Sequence, residues 1–500
     1  MLLAPGNAAR GGNGGDLPFD TFGLAVFGMA RSRDTSERVK ASQTVAGIAA
    51  WSRLRAELSI AHIIGAGLAG LAAAVKLAAK GRSVRLYEAS RHAGGRCRSY
   101  LDTELGCRID NGNHLLLSGN HQTLAYLRQI GALDTLDGPP DPVFPFIDAE
   151  TGLRWTLWPN RGTVPWWIFS AKRRVPRTRA TDYLAILALR RAKLSATMIE
   201  VLDRNDGAFR NLWEPLTVAA LNTGADRASA RLFWRVIEET LARGGAACRP
   251  LVPCEGLSET FVDPALAWLR VQGAEIRFGT RLRTLQFALD HVTELVFDTG
   301  PIELSHGDSV VLAVPAAVAA RLVPALRVPD AYSPIVNAHF RCAVPAGSPY
   351  FVGIIGGAAQ WVFRKHEGLS VTVSAADRLV DQPAEELGDL LWRDAALAYQ
   401  LPVHPLPPAR IVKERRATFL ASPRQLLRRP APTTQWNNLL LAGDYVDTGL
   451  PAAIEGAIAS GFMAAEHALE LAPLPQEPLP TGRHLTYRTH HRKGSVRFHE

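Results

Sequence analysis

The sequence predicts an α/β protein in which a discontinuous, Rossmann-like dinucleotide-binding domain carries an inserted mixed α+β domain. Three observations carry this expectation. An apolar run at 59–64 ends in glycines, opens a helix rich in Ala and Leu, and is followed by a second apolar run at 84–87, the order of a β–α–β unit. Behind a helix expected at 257–270, the stretches GAEIRFGTRLRTLQF, HVTELVFDTGPIEL and SVVLAVP read as returning strands. Near the end, the apolar LLLA of NNLLLAGDYVD leads through GLPAAIEGAIASGFMAAEHALEL into a long helix, with Pro451 suited to its first turn.

These signals divide the chain. Residues 59–134, 246–325 and 426–472 are expected to form the nucleotide domain. Residues 135–245 and 326–425, which hold most of the tryptophans, break its rhythm and read as a substrate domain inserted twice. The stretches 1–58 and 473–500 are expected to be a disordered extension and a disordered basic tail.

A length of 500 residues, with 47% hydrophobic and 21% charged side chains, is enough for two or three packed cores. The formal charge of +9 does not point to nucleic acid, because residues 1–58 contribute +2 and residues 476–500 contribute +3, leaving less than half on the body of the chain. Five cysteines, at 97, 107, 248, 254 and 342, show no CxxC pair and no metal-ligand spacing. They suggest a reducing, cytoplasmic setting without a metal or disulfide framework. No window reaches the ~20 apolar residues of a membrane span.

The residues that carry chemistry begin with Gly65-Ala66-Gly67-Leu68-Ala69-Gly70, a GxGxxG turn between strand and helix. Its first glycine allows the turn, the second admits a pyrophosphate, and the third lets helix pack on strand. The helix start then faces the phosphate charge. Glu88-Ala89 closes the second strand, where a carboxylate can hold ribose hydroxyls. Gly94-Gly95-Arg96 follows, a glycine pair that lets backbone approach a ligand beside a guanidinium able to reach pyrophosphate oxygens. This extended pattern resembles the FAD fingerprint of the amine oxidase and phytoene desaturase superfamily, and the resemblance implies FAD as cofactor.

Asp110-Asn111-Gly112-Asn113-His114 is similar to a superfamily passage that lies beside the isoalloxazine ring. The residues themselves leave two readings open: a turn with a structural histidine, or a site where His114 takes part in proton transfer. Gly443-Asp444 resembles the family's closing motif, whose Asp meets the ribityl or pyrophosphate part of FAD. The helix expected from Leu450-Pro451-Ala452 would then direct its N-terminal dipole at the flavin edge.

The blocks DNGNHLLLSGNHQTLAYLRQIGA, FRNLWEPLTVAALNT, GAAQWVFRK, KERRATFLASP and LAGDYVDTGLPAAIEGAIASG narrow the resemblance to the hydroxysqualene dehydroxylases of hopanoid biosynthesis. It covers residues 59–472 and implies reductive removal of a hydroxyl from a C30 isoprenoid, with Asn113 standing where relatives are expected to have Gln. Oxidative carotenoid or phytoene desaturases, flavin amine oxidases and non-redox prenyl-binding escort proteins share the fold and are the alternatives. Trp213, Trp361 and Phe363, with Phe209 and Phe340, either line a channel for the polyprenoid or are ordinary core. Trp155, Trp158, Trp166, Trp167 and Phe169 precede the basic run at Lys172, Arg173, Arg174, Arg177 and Arg179. That combination suits peripheral contact with an anionic bilayer or, equally, a core edge beside a solvated basic loop.

Overall fold

The structure is a computed structural model, and its description covers residues 59–471; the two expected tails lie outside the described residues. The elements that position the site begin with β1 (Ile60–Ile64), α1 (Leu68–Ala79), β2 (Ser83–Tyr87), β3 (Ser99–Asp102), β4 (Cys107–Asp110), α2 (His121–Gln129), β5 (Phe144–Asp148) and β6 (Arg154–Leu157). There follow α3 (Asp263–Val271), β7 (Glu275–Arg277), β8 (Ser309–Leu312), β9 (Tyr332–Arg341), β10 (Phe351–Ile355) and β11 (Trp361–Lys365). The last are β12 (Gly368–Ser374), α4 (Ala384–Tyr399), β13 (Ala409–Phe419), β14 (Leu439–Leu441) and α5 (Ile454–Glu470).

Five short strands pair in parallel in the order β7-β2-β1-β8-β14. Their central members are apolar at nearly every position because both faces are covered, as parallel sheets require. Ile63, Val311 and Leu440 pack against α1, α3 and α5. Ile64, Val310, Leu312 and Leu441 face the other way, onto Leu285, Leu295 and Phe297. Those three residues belong to an antiparallel meander of Leu282–Ala288, His291–Phe297 and Gly300–Glu303, so a small β-sheet forms the third layer.

Seven strands form the second sheet, in the order β13-β9-β12-β11-β10-β5-β6, antiparallel except where β10 meets β5. Alternation of side chains gives this sheet two distinct faces. On the rear face Val336, Ala338, Phe340, Val362, Leu369, Val371 and Val373 bury themselves against Leu387, Leu391, Trp392 and Ala395 of α4. Phe340 therefore belongs to this rear core and cannot share a channel with Trp361 and Phe363, which point the opposite way.

Two expectations about helices are revised. The helix expected at 257–270 starts as a π-turn, Ser258–Val262, before α3. Pro264 sits in the first turn of α3 and cannot donate to the preceding turn, so regular helical bonding restarts there. The same device recurs at Phe209–Trp213, where a π-turn precedes a helix with Pro215 in its first turn. Pro451 is not in the first turn of α5, whose N-cap is Ala453. Its carbonyl instead accepts from Ala453 N–H at 2.9 Å and lies so near the helix that a Cβ on Gly456 would come within 2.3 Å of it.

α1 is buried on most of its circumference because α5 crosses it closely. A Cβ on Gly461 would stand 2.1 Å from the Ala69 carbonyl oxygen, a backbone atom that cannot step aside. Gly461→Ala is therefore expected to lower stability by about 1–3 kcal/mol through overpacking. Chemical denaturation of the purified protein measures this, and an unchanged midpoint would show that the two helices can separate without cost.

Candidate active site

Gly65 leaves β1 with φ +106°, and its N–H donates to the Tyr87 carbonyl at 2.7 Å. A Cβ here would lie 2.4 Å from the Ala313 carbonyl oxygen, so the turn demands glycine for space as well as for backbone conformation. Gly67 is the N-cap of α1 and supplies no side-chain cap, which leaves the first N–H groups of the helix for an external acceptor. Ala69 is buried in that first turn.

Glu88 is fixed by its own neighbourhood. One carboxylate oxygen accepts from Ala66 N–H and the other from Ser90 N–H, both at 2.8 Å. Ala89, between them, is exposed. The second glycine pair then folds back onto the first: Gly94 N–H donates to the Ala66 carbonyl at 2.8 Å, and Gly67 and Gly94 form a parallel bridge. A Cβ on Gly95 would be 3.5 Å from the Gly67 Cα.

Arg96 ties the site to the far end of the chain. Its guanidinium pairs with Asp444 at 2.7 Å and donates to the Ala417 carbonyl at 2.6 Å. Asp444 holds the Arg96 pKa above its ordinary value against the effect of burial. The Arg96 side chain keeps 46% of its surface accessible, so part of the guanidinium's surroundings is left open to a ligand. Asn111 donates through Nδ2 to the Arg96 carbonyl at 3.2 Å, which brings the Asn111-Gly112 turn to the same place. Gly443 donates to Ser460 Oγ at 2.8 Å and so ties the closing turn to α5.

Pro451 and Ala452 stand half-buried between that turn and α5. Two further residues hold this region and are not singled out by the sequence, although Glu455 lies within the block LAGDYVDTGLPAAIEGAIASG. Arg429, with 2% of its side chain exposed, donates to the carbonyls of Leu450 and Val446 at 2.8 and 2.5 Å and lies over the Phe419 ring. Glu455 accepts from the N–H groups of Gln122 and Thr123, capping α2 from the first turn of α5.

The front face of the seven-stranded sheet changes character across its width. Cross-strand partners share a face, and one row reads Asn337, Thr372, Trp361, Gly353, Phe146, Trp155. The next row reads His339, Ser370, Phe363, Phe351. Both rows are polar on β9 and β12 and turn aromatic from β11 onward. Phe146 stacks on Trp155 at 5.6 Å and meets Trp361 at 5.4 Å, while Phe351 meets Phe363 at 6.2 Å. Phe209 and Trp213 belong to the same cluster. A cleft of ≈ 280 Å³ opens at its edge, between Phe146, Trp361 and Ile355 on one side and Glu214, Pro215 and Val218 on the other.

The polar end meets the Asn111–His114 turn. Asn113 Nδ2 donates to Ser370 Oγ at 2.7 Å and to Thr372 Oγ1 at 3.0 Å, while Thr372 donates to Asn337 Oδ1. Ser370 Oγ also lies 2.9 Å from His339 Nδ1. Asn113 Oδ1 and His339 Nε2 are buried with no hydrogen-bond partner in the protein, so this network ends in one unfilled acceptor and one unfilled imidazole nitrogen. Lys365, on the same face as Trp361 and Phe363, pairs with Asp110 at 2.8 Å. Burial alone would raise the Asp110 carboxyl, but Lys365, the Ser99 hydroxyl and the Leu257 N–H bring it below the usual range. Burial, reinforced by the Lys365 charge, pushes both His339 and His114 down to about 4. Both imidazoles are therefore neutral at pH 7.

Comparison with known proteins agrees with this architecture. Residues 68–469 match the family model for flavin containing amine oxidoreductases. A hydroxysqualene dehydroxylase of Rhodopseudomonas palustris is 47% identical over 406 residues, covering 81% of this chain and 97% of that protein. The chain belongs to the hydroxysqualene dehydroxylases.

Members of this family are flavoenzymes, and FAD is the cofactor of this one. A hydroxysqualene dehydroxylase of Zymomonas mobilis is 44% identical, with 82% of this chain and 99% of that protein covered. A probable zeta-carotene desaturase of Synechococcus elongatus is distant, at 26% over 273 residues and 50% of this chain. Among solved structures, the cyclohexylamine oxidase of Brevibacterium oxydans superposes with a TM-score of 0.57 at 17% identity, covering 83% of this chain and 99% of that one. That similarity bears on the fold.

The residues present fit a dinucleotide: an uncapped helix start, a carboxylate locked at a strand end, and a glycine cradle that side chains would obstruct. Glu88→Ala is expected to weaken FAD retention roughly tenfold to a hundredfold, the cost of a lost charge-assisted hydrogen bond. The absorbance ratio of bound flavin to protein after gel filtration checks it, and an undiminished ratio would remove Glu88 from the ribose site. The histidines give a pH dependence of known sign. Burial disfavours the imidazolium, so between pH 6.5 and 4 the unfolded chain binds the His339 proton more tightly. Stability is then full above pH 6.5 and declines as pH falls toward 4, by about 3 kcal/mol for this group. Denaturation midpoints across that window should fall less steeply in His339→Asn than in the parent; identical slopes would refute the assignment.

Proposed function

We propose that this chain reductively removes the hydroxyl of hydroxysqualene to give squalene, as a step of hopanoid or related triterpenoid synthesis. The observation that carries the reading is the two-part sheet face, whose polar end meets the Asn111–His114 turn and whose aromatic end extends away from it. A long hydrocarbon with one hydroxyl has the same division. When bound and reduced, FAD supplies the hydride. In this reading Gly65, Ala66, Gly67, Ala69, Gly70 and Arg96 take the pyrophosphate, Glu88 and Ala89 the ribose, with Gly94 and Gly95 alongside. Asn111, Gly112, Gly443, Asp444, Pro451 and Ala452 border the remainder.

The chain's own contribution is to orient the alcohol and exclude water. Trp361 at the cleft, backed by the buried Trp213 and Phe363, would give the hydrocarbon apolar surface and keep the reacting carbon dry. The unfilled acceptor on Asn113 and the free nitrogen of His339 offer hydrogen bonds to a hydroxyl. His114, neutral at pH 7, can hold an N–H at that oxygen but carries no imidazolium proton to give. The balance would be one solvent-derived proton to the departing oxygen, which would leave as water, and one hydride, which the bound cofactor would supply, to the allylic carbon. The reading includes peripheral contact with a membrane, the reservoir of a C30 polyprenoid, and a reducing cytoplasmic setting, which five free cysteines support. None of the described helices is long and apolar enough to cross a membrane.

Incubated without oxygen and with a chemical reductant, the FAD-loaded protein is expected to convert hydroxysqualene to squalene, and to form none while the flavin stays oxidised. Product analysis by gas chromatography decides this. Absence of squalene with fully loaded, reduced enzyme would favour an oxidative desaturase, to be assayed on phytoene.

A further inference from the structure

The segment 161–193 contains nine Lys or Arg residues against a single acid, Asp182. Among the described residues only Arg161 of these cations joins an ion pair, with Asp141. The same stretch and its next residue hold an unusual concentration of outward apolar side chains. Val164, Trp166, Phe169, Leu184, Leu187 and Leu194 are between 50% and 74% exposed. An exposed apolar group of this size rimmed by unpaired charge marks an interaction surface.

Helical geometry explains how one segment has two apolar sides. Through Ala180–Leu184 and the 3-10 turn Ala185–Arg191, the residues Tyr183, Ile186 and Leu189 recur every three positions and are buried. Leu184 and Leu187, each one position later, recur on the outer side. The inner side suffices for folding: Trp167 meets Tyr183 edge-on at 5.1 Å, and Tyr183 meets Trp213 at 6.0 Å. The Tyr183 hydroxyl also accepts from Val175 N–H at 2.9 Å, fixing the basic loop to the helix. The outer leucines are thus surplus to the core. Of the aromatic residues that sequence groups together, Trp155 stacks on Phe146 inside the cluster, Trp167 is buried, and the Arg173 guanidinium lies over both Trp158 and Trp166, at 4.0 and 4.7 Å, with Trp166 still half exposed. Only Trp166 and Phe169 belong to the outer set.

We infer that this face docks on an anionic lipid bilayer, with its leucine, valine and aromatic side chains entering the acyl boundary and its cations on the phosphate headgroups. Apolar groups alone would suit a protein partner or a second copy; nine cations with one acid select a negatively charged, fluid surface. The location serves the reaction, because a single packed layer, Trp167 and Tyr183, separates this face from Trp213 and the aromatic rows. That last point rests on the dehydroxylase reading, whereas the docking does not.

Flotation of the full chain with vesicles tests it. Binding to phosphatidylcholine–phosphatidylglycerol vesicles is expected, sensitive to salt, with little binding to phosphatidylcholine alone. Reversing Lys172, Arg191 and Lys193 to Glu should reduce partition on the order of a hundredfold, and Phe169→Ser with Leu187→Ser should leave a weak binding that salt abolishes. Both variants should turn over detergent-dispersed hydroxysqualene at the parent rate and lose activity on substrate embedded in anionic vesicles. Failure of the parent to float, or equal partition by the charge variant, overturns the docking. Absence of squalene in detergent, with flotation intact, would instead overturn only the reaction.

Discussion

Four backbones converge where the strand β1, the end of β8, the helix α1 and the helix α5 meet, and side chains are excluded from the points of contact. At Gly65 the obstacle to a Cβ would be the Ala313 carbonyl, at Gly70 the Gly65 carbonyl at 1.9 Å, and at Gly461 the Ala69 carbonyl. This closeness brings the uncapped start of α1 beside the end of β2, so that Glu88 can reach Ala66 N–H. It also fixes α5, and through Ser460 the Gly443-Asp444 turn, against the same edge. Arg96 then bridges residues 348 apart in sequence. The candidate cofactor site is therefore a consequence of interlayer spacing, with side chains added where spacing permits them.

The second sheet solves a different problem. Its rear face is apolar across the centre, where α4 covers it, with Arg154, Arg364 and Lys413 among its other residues, and its front face meets polar turn residues at one end and aromatic residues at the other. Alternation along each strand keeps the two faces separate, and register aligns like with like across strands. A slip of one residue in β11 would send Trp361, Phe363 and Lys365 to the rear. The pairs Phe351–Phe363 and Trp361–Thr372 thus hold both the packing and the division of the front face.

Charge is treated differently in the two regions. Asp110 and Lys365 are paired, and the neighbouring His114 and His339 are held neutral, so the interior of the site carries little uncompensated charge. On the outer segment at 161–193 every cation but Arg161 stays outside an ion pair among the described residues, beside exposed leucines. An interior must balance its charges because it lacks water to do so, whereas a surface can leave them for a partner.

Local spacing makes much of this legible in the amino-acid sequence. The GxGxxG turn, Glu88, Gly94-Gly95-Arg96 and Gly443-Asp444 are short patterns whose chemistry depends on residues a few positions apart, and so the fold class and the flavin family can be read directly. The alternation in β11 is equally local. Contacts between distant segments are not readable in this way. Arg429 sits in no motif and Glu455 in a family-like block that gives it no role, and the importance of both comes from carbonyls and helix ends that only folding brings to them. Phe340 and Trp361 look alike as aromatic residues, but register places them on opposite faces. Likewise Trp155 and Trp166 lie in one aromatic stretch, with one stacked inside and the other turned outward. Sequence determined which chemistries were present, because residue type and short spacing are properties of the chain; tertiary structure decided which side chains share a surface, because that depends on pairing between segments far apart.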